Sequence, residues 1–427
     1  MKSDPRKSSR WTVNFNSLIL FIMFKSEFPL LVNHPEIIYL DNAATTQKPA
    51  MVIDGVAEFL RHEYANIHRG LYSLSESSEF RFHQSKKLVA ELINASEKEI
   101  IYTANATASF NLLAQSLVHS EVLKAGDVVL VGIWEHHANS LPWMSLAKRF
   151  GFEVRFFNLD EHFAIDFEDF QQKYTKEVKV VACGQVSNVT GGIYDVKKIW
   201  SLLREDTFFV VDASQSVPNM LVDMQDIGCD ALIFTGHKIM AYTGIGVLAL
   251  KHERIKKLQP LSVGGGTIKD VSCEGFELQT NNEKFEAWTP DIIGAVSLGY
   301  ALEFIKTLGQ EKDLKSWMQT IAHHEKQLAE YALKRFQALS DNVQLIGPQN
   351  EQRVALFSFV LKDQPNFNQI WEHFAEKNIC IRCGGHCAYP LHKHFKVWGT
   401  CRMSAYLYND FSDLDRFFEE LEELLKS

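Results

Sequence analysis

Short runs of apolar, β-branched residues recur along the middle of the chain, separated by segments of helical periodicity. They occupy residues 128–133, 154–157, 178–183, 208–211, 231–234 and 247–250. Within each run the hydrophobicity is continuous rather than alternating, so both faces of the strand are covered. That pattern predicts a mostly parallel sheet in an α/β fold. After Pro290 the pattern changes. Residues 291–308 read as a long helix, and helical periodicity at 317–339 and 414–425 flanks a strand-like stretch at 354–360. The predicted organisation is a large domain over 41–299, a smaller α+β domain built from 23–40 and 300–427, and an extension over 1–22. No internal repeat or low-complexity tract interrupts it.

Composition narrows the classes. A chain of 427 residues, 46% hydrophobic and 23% charged, can bury one large core and a second smaller one. It is not a disordered composition. A net charge of -9, a pI near 6.0 and no stretch rich in Lys and Arg speak against nucleic-acid binding. Seven cysteines, an odd number with one tight cluster, suggest reduced thiols in a cytoplasmic protein rather than a disulfide framework. At the N-terminus, Lys2, Arg6, Lys7 and Arg10 precede the apolar run 18–24. That run is far below a membrane span and lacks a small-residue cleavage site. Met23 is the expected true start, and no membrane association is expected.

The chemistry lies where the predicted strands end. Asp212 follows the run 208–211, and Lys238 closes Phe234-Thr235-Gly236-His237-Lys238 beyond the run 231–234. Ligands of parallel α/β sheets bind outside the carboxyl ends of the strands. An acid at one strand mouth and a glycine-flanked lysine after the next are what a pyridoxal-phosphate site requires. The amine holds the aldehyde, and the carboxylate keeps the pyridine nitrogen protonated. Taken singly, Lys238 reads equally as a surface loop lysine and Asp212 as a helix cap. The small and hydroxyl residues Thr235, Gly236 and Thr243-Gly244 around the lysine favour the cofactor reading.

Several further segments stand in order along the chain: Tyr39-Leu40-Asp41-Asn42-Ala43-Ala44, Asn66-Ile67-His68-Arg69-Gly70, Glu135-His136-His137-Ala138-Asn139, Val186-Ser187-Asn188-Val189 and Arg382-Cys383-Gly384-Gly385-His386-Cys387-Ala388. With the Asp212 and Lys238 segments, they resemble the SUF-type cysteine desulfurases and selenocysteine lyases, within the class V, fold-type I pyridoxal-phosphate enzymes. The resemblance implies a seven-stranded, mostly parallel sheet in the large domain, a homodimer, and conversion of L-cysteine to L-alanine. The sulfur would remain on Cys387 as a persulfide and pass to an acceptor protein of the SufE or SufU type for iron–sulfur cluster assembly. It implies that His136 stacks on the ring and handles protons, that Gln215 donates to the ring oxygen, and that Asn188 contacts the substrate carboxylate. Arg402 would grip that carboxylate with its planar fork, with Arg382 and His68 ordering the same pocket. Thr235, His237 and Thr289 would bind phosphate, Thr289 from across a dimer interface.

Two departures stand out. The family's Gly-Thr-Thr is Asn105-Ala106-Thr107 here, leaving Thr107 and the amides of a helix start for the phosphate; Trp288 replaces the glycine beside Thr289. Selenocysteine lyase or another class V lyase or aminotransferase is the alternative reading, and a non-catalytic scaffold of a sulfur-assembly complex the more distant one. Cys380, Cys383, His386 and Cys387, with His392 and His394 beyond, also have the density of a zinc site. Cys380-Ile381-Arg382 reads as the end of a strand, whose alternation points neighbouring side chains apart, and no metal is expected. Cys383 is expected to form a reversible disulfide with Cys387 on oxidation.

Overall fold

The computed structural model describes residues 24–68, 70–287, 289–308, 313–362 and 367–426. The expectations about the extension, Met23 and Trp288 fall outside them. Seven strands make the large sheet: β1 Ile100–Thr103, β2 Val128–Gly132, β3 Glu153–Phe157, β4 Val178–Gly184, β5 Phe208–Asp212, β6 Ala231–Thr235 and β7 Gly246–Leu250. Their spatial order is β1-β7-β6-β5-β4-β2-β3. Every pairing is parallel except those of β7, which runs antiparallel to β1 and β6. Six of these strands coincide with the apolar runs. β1, of four residues, is not among the predicted runs.

The continuous runs have a simple cause. Successive side chains of a strand point to opposite faces, and here both faces are covered. Leu130, Val181, Phe209, Val211, Leu232 and Phe234 enter one core. Val129, Val180, Val210, Ala231 and Ile233 enter another. Helices α1 Ser73–Ile93 and, later in the chain, Ile292–Thr307 cover the first face. Helices α2 Ala106–His119 and α3 His137–Phe150 cover the second. Each such Val or Phe, fully buried, stabilises the fold by roughly 2 kcal/mol. At the sheet edge, β3 carries Glu153 and Arg155, paired with each other, as an exposed edge strand requires.

A second sheet of β8 Val343–Leu345, β9 Leu356–Leu361, β10 Arg382–Gly384 and β11 Thr400–Ser404 is antiparallel, in the order β8-β9-β11-β10. The helices Leu314–Ala338 and Phe411–Leu424 cover it. Phe336 sits at the centre, with Phe357, Phe359, Phe417 and Phe418 around it. The N-terminal segment joins this sheet: Ile38–Tyr39 pairs with Ile379–Cys380, and Asp41 bridges to Ser404. The expected strand end at Cys380-Ile381-Arg382 is therefore split. Cys380 pairs with the N-terminal segment, whereas Arg382 belongs to β10 and pairs with β11.

The cysteine expectation needs correction. Cys383 lies directly opposite Cys401 in the β10–β11 register and is disulfide-bonded to it. It is therefore not free to pair with Cys387, which lies beyond Gly384 and Gly385 on the loop that follows. The other five cysteines are free thiols. No described helix is long and apolar enough to cross a membrane.

Candidate active site

The carboxyl ends of the parallel strands converge on one cavity of about 270 Å³. Lys238, Asp212, His136, Gln215, Thr107, Asn188, Thr235, His237, Arg382, Cys387 and Arg402 all line it. His136 follows β2 and Asn188 follows β4, neighbouring strands at the point where the sheet order switches direction. That switch point is where such sheets bind ligands. Two predicted residues lie elsewhere in this chain. Thr289 lines a separate depression with Gly244 and Asp291. His68 is exposed, with Nδ1 3.7 Å from Glu79.

Lys238 ends the short helical turn Gly236–Lys238 that follows β6. A Cβ on Gly236 would stand 2.5 Å from Ile245 Cγ2, so only glycine lets the turn press against the start of β7. Burial lowers the lysine amine from 10.5 to about 8, while the Asp212 charge opposes the shift. Asp212 is the last residue of β5, and burial raises its carboxyl, against a Ser214 N–H donated at 2.9 Å and the charge of Lys238. Gln215 Nε2 donates to the Ala43 carbonyl at 2.8 Å. His136 caps α3, its Nδ1 accepting the Ala138 N–H at 3.0 Å. That bond fixes the neutral tautomer with its proton on Nε2. Burial, then the Lys238 charge, lowers the ring to about 3, so it is uncharged at neutral pH.

Thr107 is the second residue of α2, whose cap Asn105 accepts the Ala108 N–H at 2.9 Å. A Cβ on Gly246 would stand 2.4 Å from the Asn105 backbone; glycine there lets the helix start pack onto β7. Two buried polar atoms of the cavity lining, His237 Nδ1 and Ser214 Oγ, have no hydrogen-bond partner among the described residues. These atoms, Thr107 and the α2 amides suit an anion, Asp212 suits a protonated ring nitrogen, and Lys238 suits an aldehyde. The donor set fits a pyridine cofactor with a phosphate arm.

On the substrate side, Arg402 of β11 is buried. It donates from Nη1 to the Asn188 carbonyl at 2.8 Å and from Nη2 to Asp41 at 3.2 Å. Burial lowers it to about 10, which leaves it charged. His386 and Cys387 adopt successive left-handed conformations, with φ of 46° and 55°, each costing about 1 kcal/mol. Several hydrogen bonds hold this loop. His386 Nε2 meets Thr400, Asn188 Nδ2 donates to the His386 carbonyl at 2.8 Å, and the His137 N–H donates to the Cys387 carbonyl at 2.7 Å. The Cys387 thiol is left exposed at the cavity. In the cysteine–histidine cluster, Cys383 is taken up by Cys401 and His386 by Thr400.

Sequence reasoning assigned no role to Asp41, Glu135 or Ser214. Glu135 is a buried acid that accepts the Gly184 N–H and the Asn139 amide. Burial, then the Asp212 charge, pushes its carboxyl well above the usual range. Its signal was available: an acid just beyond a buried strand, as at Asp212.

A lysine, a buried carboxylate and a neutral imidazole at the carboxyl edge of a mostly parallel sheet define a fold-type I pyridoxal-phosphate architecture. The family model for aminotransferase class-V matches residues 38–417, and the chain belongs to that family. A probable cysteine desulfurase of Pyrococcus abyssi is 36% identical over 395 residues, covering 92% of this chain and 95% of that protein. A cysteine desulfurase of Escherichia coli O9:H4 is 34% identical, covering 94% and 97%. Among solved structures, the apo cysteine desulfurase of Thermococcus onnurineus NA1 superposes with a TM-score of 0.87 at 34% identity, covering 94% of this chain and 97% of that one.

Proposed function

We propose that this chain is a pyridoxal-phosphate-dependent cysteine desulfurase that converts L-cysteine to L-alanine and keeps the sulfur on Cys387. One observation carries the reading: an exposed thiol lines the same cavity as Lys238, Asp212 and Arg402. The relatives named as cysteine desulfurases support it. Asp212 would hold the ring nitrogen, Gln215 the ring oxygen, and Thr107, Thr235 and His237 the phosphate. Bound there, the cofactor supplies an electron sink for the bonds at the substrate α-carbon.

The protein's own groups do the rest. Arg402, with Asn188 beside it, holds the substrate carboxylate. Lys238, its amine lowered by burial, removes the α-proton. His136 lines the cavity with its proton on Nε2 and is the candidate for proton handling. Cys387, as thiolate, attacks the substrate sulfur. A sulfur–sulfur bond forms, the carbon–sulfur bond breaks, and its electron pair stays with carbon, which is protonated and leaves as L-alanine. Cys387 is left with one extra sulfur atom, which an acceptor protein of the SufE or SufU type collects for iron–sulfur cluster assembly.

The working unit in this reading is a homodimer. Thr289 and His68 lie outside this chain's own cavity, and a second copy would supply their counterparts. The exposed side chains of Leu71, Tyr72, Leu74 and Phe80 offer it an apolar face. The division into 41–299 and 23–40 with 300–427 places the cavity between the two parts, with Arg402 and Cys387 from the smaller one. The test is Cys387→Ala. Cofactor absorbance is retained and the persulfide is lost; sulfur transfer that survives the substitution would reject the assignment.

A further inference from the structure

Lys238 stands on a turn held from both sides. The His237 carbonyl lies just before it, and Met240, fully buried at a left-handed φ of 66°, lies two residues beyond. One side chain reaches both flanks. Thr46 Oγ1 accepts the Met240 N–H at 2.9 Å and donates to the His237 carbonyl at 3.2 Å. A hydroxyl has a single hydrogen, and here it is directed at His237. The same carbonyl accepts from the Thr46 N–H at 3.1 Å, from Thr45 Oγ1 at 3.1 Å and from Lys48 Nζ at 3.4 Å. Thr46 is 3% exposed, and it shares with Lys238 the lining of a small space beside the main cavity.

The segment that carries Thr46 is anchored in turn to the smaller part of the molecule. The Ala43 N–H donates to Ser404 Oγ at 2.9 Å, Tyr39 Oη to the Thr45 carbonyl at 2.8 Å, and the Gln47 N–H to Tyr408 Oη at 3.0 Å. Ser404 ends β11, two residues beyond Arg402. Residues 43–48 therefore register the turn of Lys238 against the strand of Arg402. We propose that Thr46 is a positioning residue for Lys238, its hydroxyl fixing the direction from which the amine meets the substrate that Arg402 holds. The proposal rests on the reading of Lys238 as the group that removes the α-proton. A base acts only within hydrogen-bond reach of its proton, and a small misplacement of a reacting group is costly in rate. Arg402 and Asn188 hold the substrate carboxylate without the hydroxyl, so its loss falls on kcat rather than KM.

The test uses Thr46→Val, which keeps the shape and loses the hydroxyl, and Thr46→Ser, which keeps the hydroxyl. Losing one buried hydrogen bond shifts an equilibrium by about tenfold. In the holoenzyme, Thr46→Val is expected to lower kcat for alanine formation by about that factor at unchanged KM. Its kinetic isotope effect with α-deuterated L-cysteine rises, because proton removal becomes the slower step; a merely smaller folded fraction would leave that ratio where it was. Amide hydrogen exchange at Met240, read in the cofactor-free protein, accelerates by about tenfold. Thr46→Ser returns all three toward the parent. Lys48→Met, which removes a second donor to the His237 carbonyl, moves kcat and the isotope effect in the same direction by a smaller factor. A parental isotope effect in Thr46→Val, or a Ser variant no better than the Val variant, would overturn the positioning role. Faster Met240 exchange in a protein that makes no alanine from cysteine would support the hold of Thr46 on the turn and overturn the assigned reaction instead.

Discussion

Burial in the cavity holds the Lys238 amine at about 8 rather than 10.5, with Asp212 pulling the other way. The difference corresponds to about 3 kcal/mol against the charged amine. Only a neutral amine attacks an aldehyde. Near pH 7.5 about a quarter of cofactor-free molecules are therefore competent, against about one in a thousand for an ordinary lysine. The rate of pyridoxal-phosphate uptake by cofactor-free protein, followed by visible absorbance in stopped flow, is expected to rise with pH and level off around a midpoint of about 8. Asp212→Asn removes the charge that raises the amine. Its midpoint moves down and its initial uptake at neutral pH becomes faster, even as final occupancy falls for want of a partner to the ring nitrogen. The same shift has a stability consequence. The ammonium is penalised only in the folded state, so the penalty is fully present below about 8 and fades as pH rises toward 10.5. Cofactor-free Lys238→Met is accordingly more stable than the parent at neutral pH, and its advantage shrinks in alkali. An uptake rate that climbs through pH 10 without levelling, or an Asp212→Asn midpoint above the parent's, would refute burial as the cause.

Three further outcomes follow from particular contacts. Lys86 Nζ sits 2.9 Å from both oxygens of Glu286, which also accepts the Tyr102 N–H at 2.7 Å, all buried. Lys86→Met strands that carboxylate and costs about 3–5 kcal/mol in chemical denaturation; adding Glu286→Gln recovers most of the loss. Thiol titration of the unfolded, unreduced protein finds five free thiols and, after reduction, seven. Cys383→Ser loses about 3 kcal/mol of stability without reductant and little with it, and equal losses in both conditions would refute the disulfide. Asn188→Ala removes the bond to the His386 carbonyl but keeps the backbone carbonyl that holds Arg402. It lowers kcat by about tenfold with little change in KM, and a change confined to KM would count against the loop-anchoring role.

The large sheet was legible because its central strands are apolar on both faces, a pattern that surface strands do not share. The ends of those strands pointed to Asp212, His136, Asn188 and Lys238 for the same reason. What stayed hidden depends on register. Nothing in the spacing of Cys383 and Cys401 shows that two antiparallel strands set them opposite each other, so Cys387, nearer in sequence, looked like the natural partner. Asp41 was visible only as part of a motif. Its grip on Arg382 and Arg402 requires that the N-terminal segment run alongside strands more than 300 residues away. Thr289 and His68 were named from the resemblance alone, and neither lines this chain's cavity.

The hydrogen bonds that fix the turn around Cys387 go to carbonyls, the Thr400 hydroxyl and the neighbouring imidazole; none among the described residues engages the sulfur. In the proposed reaction the cargo atom therefore hangs from a bracket that does not hold it. In that reaction, gaining or surrendering a chalcogen breaks none of these bonds. Whatever collects the load must bring its own reach to the mouth of the cavity.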